Sequence, residues 1–468
     1  MQENNSNHSN NQLQPKLGLR AASFLVISVI IGSGVFKKIA PMAQELGTPW
    51  LILLCWLIAG IVSLAGALCT AELVSMYPNS GGEYNYFQKI YGRFFSFLYG
   101  WASFAVIKTA AISALAYIFA QSLNSLFPLP VLDLNYTFLG LHLFENLSIK
   151  LLAAFLIVLL TILNYRGVQF AEKLSSILTY AMLGAIAFFL VVGFGAEQGS
   201  MDNLTTAAKG ATSDLNGWTL MKALFLASLG AFWGYDGWNN IAFIGEEIKN
   251  PKRNLPLALG LGTLGVMAVY VMINFVFLYV MPIDFFIALN ATPNKIAAVE
   301  VAGQLSGTIG MALVACLILV TTMNSTNSSI LMSARMLYAM ARDKTFFKQA
   351  ESVHPRYNTP DKALFIQAAW AVLLVFSGSF DQLTDMLVFA AFLFYAATAV
   401  GLLYLRIKLP QAERTYKVIG YPVVPILFLL FCITICLMTL INQPYEAMMG
   451  LVLIASGLPV YFWLGRAK

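Results

Sequence analysis

The sequence has little charge and almost no histidine. Asp, Glu, Lys and Arg together make up 11% of the 468 residues. The three histidines, His8, His142 and His354, fall in the polar N-terminal stretch or in connecting loops. This excludes an intramembrane metal site built on histidine. It also argues against a hydrolytic or acyl-transfer enzyme, which needs clustered His, Asp or Ser partners at depth. The five cysteines, Cys55, Cys69, Cys316, Cys432 and Cys436, all lie in apolar segments. With none in a loop, no extracellular disulfide framework is expected. The longest segments between apolar runs, near 124–147 and 196–216, are too short for a soluble domain. No cofactor is expected.

What is present is apolar surface. Hydrophobic residues are 59% of the chain and mean hydropathy is +0.73. Runs of 18 or more apolar residues recur, each long enough for a hydrocarbon core of about 30 Å. The reading is an all-α polytopic membrane protein with the lipid bilayer as its main partner. Twelve spans are predicted, near 18–42, 49–76, 94–123, 148–165, 172–195, 217–245, 255–281, 298–341, 362–379, 382–406, 420–441 and 445–464. Span 8 is longer than a bilayer needs, and its end, Met336 to Arg342, is expected to project into the cytoplasm. Residues 1–15 lack the basic start and short apolar core of a signal peptide, so they are expected to be a disordered cytoplasmic tail.

The net charge of +6 is a topology signal. If both termini are cytoplasmic, 20 of the 28 basic residues fall in cytoplasmic segments and six on the opposite side, with Lys108 and Arg335 inside spans. Basic residues accumulate on the cytoplasmic side of membrane proteins. No nucleic-acid partner is implied.

Two spans carry unusual interiors. Span 1 holds Ile30-Ile31-Gly32-Ser33-Gly34-Val35-Phe36, and span 6 holds Ala231-Phe232-Trp233-Gly234-Tyr235-Asp236-Gly237-Trp238-Asn239. Glycine weakens a helix interior by about 1 kcal/mol relative to alanine. A lone Gly-x-Gly is commonly a packing device. Two glycine-bearing breaks, at the starts of two five-span units, point to inverted repeats with a site between them. The predicted units are 16–195 and 196–408, with 409–468 (spans 11 and 12) outside the symmetry. An unwound helix in lipid is tolerable only beside a cavity. At the first break the N–H groups of Ser33, Gly34 and Val35 start a half-helix and favour an anion. The carbonyls of Val29, Ile30 and Ile31, and of Phe232, Trp233 and Gly234, favour a cation. Such a cavity suits an α-amino acid.

These stretches, with "GALCTAELVSMYPNSGGEYNYFQKIYG", "WGYDGWNNIAFIGEEIKNPKRNLPLAL", "SSILMSARMLYAMARD", "HPRYNTP" and "SGLPVYFW", resemble the amino acid–polyamine–organocation (APC) superfamily. Within it the chain is similar to the L-type amino acid transporters: the light subunits of heteromeric transporters and their standalone bacterial relatives. The resemblance implies a LeuT-type fold of five-plus-five inverted repeats with discontinuous helices 1 and 6, alternating access, and amino acid exchange or uptake. It assigns the substrate carboxylate to the backbone N–H groups of Gly32, Ser33 and Gly34, and the ammonium to the carbonyls of Ile30 and Trp233. It makes Trp233, Phe392, Asp236 and Asn240 gate and pocket residues. Where many relatives carry a lysine in span 5, this chain has Met182, which argues against lysine-type ion coupling. Light subunits bond a glycoprotein partner through a cysteine between spans 3 and 4. The loop 124–147 has none, so no disulfide-linked heavy subunit is expected.

Other polar groups at depth have two readings each. Asp236 either attracts a cationic side chain or caps the second half-helix. Lys108 faces Thr109 and Ser113 at helical spacing, as a structural pair or a pathway residue. Glu72 and Ser80-Gly81-Gly82-Glu83 form either a piece covering the inner mouth or a solvated loop. In span 8, Thr321–Ser329 has eight polar side chains in nine residues. These must line the cavity or bond neighbouring helices, and Ser325 and Ser329 offer hydroxyls for the pathway or for sodium coupling. Trp370 and Trp463 are expected to be lipid-facing or belt residues. The leading reading is an amino acid exchanger for neutral substrates, with cationic ones left open. The alternatives are a proton- or sodium-coupled amino acid or polyamine permease, and a non-transporting amino acid sensor.

Overall fold

In hydrocarbon the chain must satisfy every backbone group within its own elements, which favours helices. The computed structural model describes residues 15–79, 81–132, 137–138, 141–142, 145–209, 217–292, 295–378 and 380–466. Apart from Pro15, the expected tail lies outside the described residues. Among those described, the one sheet is a two-residue hairpin, Thr137–Phe138 against Leu141–His142, in the loop after span 3.

Among the described residues ten helices are long and apolar enough to cross a membrane. The sixth and ninth expected spans are helices as well, Gly217–Tyr235 and Asp361–Ser377, the latter of 17 residues. Span 3 forms the centre: its apolar window is 94% buried inside the protein, against 28% for span 5 and 22% for span 12. Its helix carries a π-turn at Ser103–Ile107 just before Lys108. Such turns concentrate at functional sites.

Span 1 winds from Leu19 to Ile30, opens, and restarts at Gly34. Span 6 is helical through Tyr235, turns at Asp236-Gly237, and continues as a 3-10 helix over Trp238–Glu247. The second break therefore comes about half a turn later than Gly234. Gly237 supplies it with φ +104°, a conformation natural only to glycine. The long eighth helix, Ala297–Arg342, also breaks, at Ser306 and Gly307 (φ +60°), near its N-terminal end. Met336 to Ala341 are buried, because the short helix Glu83–Tyr91 and the start of span 3 cover them. This end of the helix is packed against its neighbours.

Glu83, Tyr84, Tyr86 and Phe87 are all fully buried. The Gly81-Gly82 segment is thus the covering piece, and the solvated-loop reading fails; Ser80 lies outside the described residues. Trp463 is exposed as expected for a lipid-facing ring. Trp370 is not simply lipid-facing: its indole N–H donates to the Ala105 carbonyl at 2.9 Å, tying span 9 to span 3.

Candidate functional site

The two breaks touch. A Cβ placed on Gly34 would stand 2.5 Å from Gly234 Cα, and one on Gly237 would stand 2.5 Å from Val29 Cγ1. Only residues without side chains permit this approach. Gly32 faces Leu115 of span 3 and Ser325 of span 8 in the same way. Between the breaks lies a cavity with about 20 Å³ open to the centre of a water molecule, room for about one water. An amino acid enters only if the helices part.

Of the residues expected at the site, Ile30, Gly32, Ser33 and Gly34 line this cavity from the first break, and Trp233, Asp236 and Asn240 from the second. Ser329 adds a wall from span 8. Among the described residues no backbone carbonyl takes the N–H of Ser33, Gly34 or Val35. The side chains repeat the message. Ser33 Oγ, Trp233 Nε1 and Asn240 Oδ1 are buried and have no hydrogen-bond partner among the described residues. Each such group costs about 1–3 kcal/mol unless something satisfies it. A cluster of them around one cavity marks a place where a polar ligand belongs.

The carbonyl side holds a residue the sequence reading missed. Tyr270 of span 7 is fully buried, and its hydroxyl lies 2.7 Å from the Ile30 carbonyl and 2.9 Å from the Gly234 carbonyl. One hydroxyl proton thus serves the ends of both broken helices. Ile30 also accepts the Gly32 N–H at 2.8 Å, and Trp233 accepts the Asp236 N–H at 3.2 Å. In this shut state the carbonyls expected to bind an ammonium are occupied from within. If Tyr270 donates to Gly234 alone, Ile30 regains an acceptor position. The signal was a hydroxyl set in an apolar helix with no partner in its own turn.

Asp236 does not cap the second half-helix. Gly237 holds the cap position and no side-chain cap bond is made. The Asp236 carboxylate instead accepts the Tyr395 hydroxyl of span 10 at 2.9 Å. Phe392 lies one chamber away. It packs edge-on against Phe232, with ring centres 4.9 Å apart, and lines a second small cavity that shares Asp236 with the first. Trp233 is closed from outside by Phe380, 6.0 Å away edge-on. The ammonium groups of Lys37 and Lys38 sit 4.6 and 4.9 Å from that ring, and Lys38 pairs with Asp381 at 2.6 Å.

Lys108 does not bond Thr109 or Ser113. Those hydroxyls donate to backbone carbonyls of Phe104, Thr109 and Ala371, whereas Lys108 Nζ donates to Asn239 Oδ1 at 3.2 Å. Asn239 in turn donates to Glu83 at 2.6 Å, and the Tyr99 hydroxyl donates to the same carboxylate. Burial pushes the Glu83 carboxyl above its ordinary value, while the nearby Lys108 charge pulls it back. An amide thus separates a buried cation from a buried acid. Glu247 pairs with Arg335. The Glu247 carbonyl also accepts the N–H groups of Lys16 and Leu17, each at 2.9 Å.

Span 8 bonds its neighbours as its composition required. Ser325 Oγ lies 2.7 and 2.8 Å from the Ser28 and Ile31 carbonyls. Asn324 and Ser328 bond Ser175 of span 5 at 2.9 Å each. Met182 is buried on span 5, two turns from Ser175, and does not reach the cavity.

The amino acid permease family model matches residues 17–462. The chain is 31% identical over 460 residues to the serine/threonine exchanger SteT of Bacillus subtilis (strain 168), covering 98% of each. It is 30% identical over 459 residues to the human b(0,+)-type amino acid transporter 1, covering 96% of this chain and 88% of the relative. It is 28% identical over 455 residues to the human cystine/glutamate transporter, covering 96% and 85%. With its interrupted helices meeting around one cavity, this multi-pass membrane protein belongs to the amino acid permease family and is a transporter, not an enzyme.

Proposed function

We infer that the chain exchanges L-amino acids across the cell membrane by alternating access, accepting neutral substrates and cationic ones as well. The observation that carries this reading is the meeting of two broken helices that offers N–H groups at one end of a cavity and carbonyls at the other. A zwitterion complements that arrangement through atoms every α-amino acid shares. Gly32, Ser33 and Gly34 hold the carboxylate. The ammonium goes to the Ile30 carbonyl, freed when Tyr270 withdraws, and to the Trp233 carbonyl. Trp233 with Phe380 closes the outer side, and the Lys108–Asn239–Glu83 chain with Glu247–Arg335 closes the inner side.

With twelve crossings both termini lie on one side of the membrane, and the excess of basic residues in the segments on that side supports the cytoplasm. The units 16–195 and 196–408 rock about the cavity, and spans 11 and 12 stand outside their symmetry. Exchange is favoured over lysine-type ion coupling because span 5 carries no lysine after Lys173; the span-5 side chain that meets span 1 at Ser28 is Ser175. The relatives named as exchangers add support. With no cysteine in the loop 124–147, the chain works without a disulfide-linked heavy subunit.

Counterflow in proteoliposomes tests the reading. Labelled external alanine should enter only when unlabelled amino acid is loaded inside. Uptake into empty vesicles driven by a proton or sodium gradient would instead identify a coupled permease. Tight binding without any flux would identify a sensor.

A further inference from the structure

A groove between spans 9, 10 and 12 lies apart from the substrate cavity. It offers about 220 Å³ to a water's centre, against about 20 Å³ between the breaks. Trp370, Leu374, Leu383, Met386, Met449 and Leu453 make its walls. Leu373 at its edge is 59% exposed, so the groove opens sideways, where the bilayer lies. Its polar groups gather at one end. Tyr445 and Glu446 stand there in the first turn of span 12, with Ser377, Gly378 and Gln382 from the junction of spans 9 and 10. Leu453 lies seven residues further along span 12, or about 10 Å deeper at 1.5 Å per residue. A polar mouth over an apolar slot of that depth has the profile of a phospholipid.

Charge at the mouth selects the headgroup. Asp385 of span 10 lies within electrostatic reach of both Asp381 and Glu446. Lys38 pairs with Asp381 at 2.6 Å, and Asp385 accepts the Gln443 amide at 2.9 Å. Lys37 donates to Gln121 at 3.0 Å. Glu446 has no hydrogen bond and no ion pair among the described residues. Its place in the first turn of a helix suits the helix dipole, but no cation answers its charge. A primary ammonium carries three N–H donors for a carboxylate. A quaternary ammonium carries none, and a purely anionic headgroup is repelled.

We propose that this groove is a lipid-binding site that holds one acyl chain of a phosphatidylethanolamine, with the headgroup ammonium on Glu446. The lipid belongs to the leaflet at the Phe380 end of the molecule, because Leu383 and Met386 of the groove follow Phe380 on the same helix. Tyr445, 47% exposed at the mouth, sits at headgroup level as a belt residue does. The chain lies along Met449 and Leu453 and ends against Trp370.

The test is quenching of tryptophan fluorescence in reconstituted vesicles by lipids brominated on their acyl chains. Trp370 lines the groove, so the quenching that disappears in Trp370→Phe reports the occupant. Should that variant fail to reconstitute, Trp370→Tyr serves the same subtraction. Brominated phosphatidylethanolamine, phosphatidylcholine and phosphatidylglycerol are compared at equal mole fraction. Wild type should prefer the ethanolamine lipid to each of the others by roughly twofold to fivefold, the scale of one partly exposed ion pair. Glu446→Gln should bring the ethanolamine-to-choline ratio to about one. Met449→Trp, which fills the groove, should weaken quenching by both. A wild-type ratio of one, or a stronger effect of phosphatidylglycerol, overturns the proposal without any rim variant. So does an ethanolamine preference that survives Glu446→Gln, or quenching of Trp370 that Met449→Trp leaves in place. None of these readouts involves transport, so their failure leaves the exchange reading standing.

Discussion

The first break is a gap of three residues, Ile31–Ser33, and apart from the Ser33 hydroxyl and the Ile30 side chain it presents backbone to the cavity. The second is a two-residue turn, Asp236-Gly237, that presents Trp233, Asp236 and Asn240. The two are held together by the close approach of Gly34 to Gly234 and by one tyrosine hydroxyl shared between their carbonyls. Under the proposed function the difference separates two tasks: backbone atoms at the first break would recognise what all amino acids share, and side chains at the second would meet what distinguishes them. Substitutions at the first should therefore affect every substrate alike, and substitutions at the second should reorder the substrates.

The largest expected effect comes from the contact itself. Gly34→Ala forces a Cβ to 2.5 Å from Gly234 Cα. Backbone on both sides leaves little room to yield. Overpacking of about 3 kcal/mol corresponds to about a hundredfold loss of counterflow, equal for alanine and arginine. A loss confined to one substrate would break the division of tasks.

Asp236→Asn comes next and is selective. Replacing a charged hydrogen-bond acceptor by a neutral one should raise the arginine-to-alanine KM ratio about tenfold. If alanine suffers as much as arginine, the carboxylate is maintaining the turn and not selecting substrate.

Tyr270→Phe should be smaller and general. It removes the one hydroxyl between Ile30 and Gly234, worth about 1 kcal/mol, so KM should change about fivefold for alanine, leucine and arginine together. An effect on arginine alone would move Tyr270 to the selective side. The smallest expected effect is none: replacing sodium by choline should leave counterflow unchanged, because exchange runs on the amino acids on the two sides and needs no sodium. A several-fold fall would reopen sodium coupling.

The membrane class, the positions of the spans and both breaks were legible in the sequence, because hydrophobic length and glycine placement are local properties. Gly32, Gly34 and Trp233 lie where that reasoning put them. The exact start of the second break was not legible: Gly234 looks like the breaker, but it serves close packing against Gly34 and Trp56, and Gly237 makes the turn. Side-chain partnerships across the bundle were not legible either. Lys108 and Asn239 are 131 positions apart, and Asp236 and Tyr395 are 159 apart. Spacing within one helix therefore pointed Lys108 at Thr109 and Ser113, and pointed Asp236 at its own half-helix. Tyr270 was missed for the same reason, since its acceptors come from spans 1 and 6. Phe392 was placed near the site by resemblance, but only packing against Phe232 reveals that it faces the second chamber.

The most direct measurement is competition for alanine counterflow by analogues missing one charged end: propionate, which has no ammonium, alaninamide, which has no carboxylate, and unlabelled alanine itself. If backbone atoms of the two breaks hold both ends of the zwitterion, alanine competes fully and neither analogue competes at a hundredfold higher concentration. Competition by alaninamide or propionate as strong as that of alanine would contradict the account.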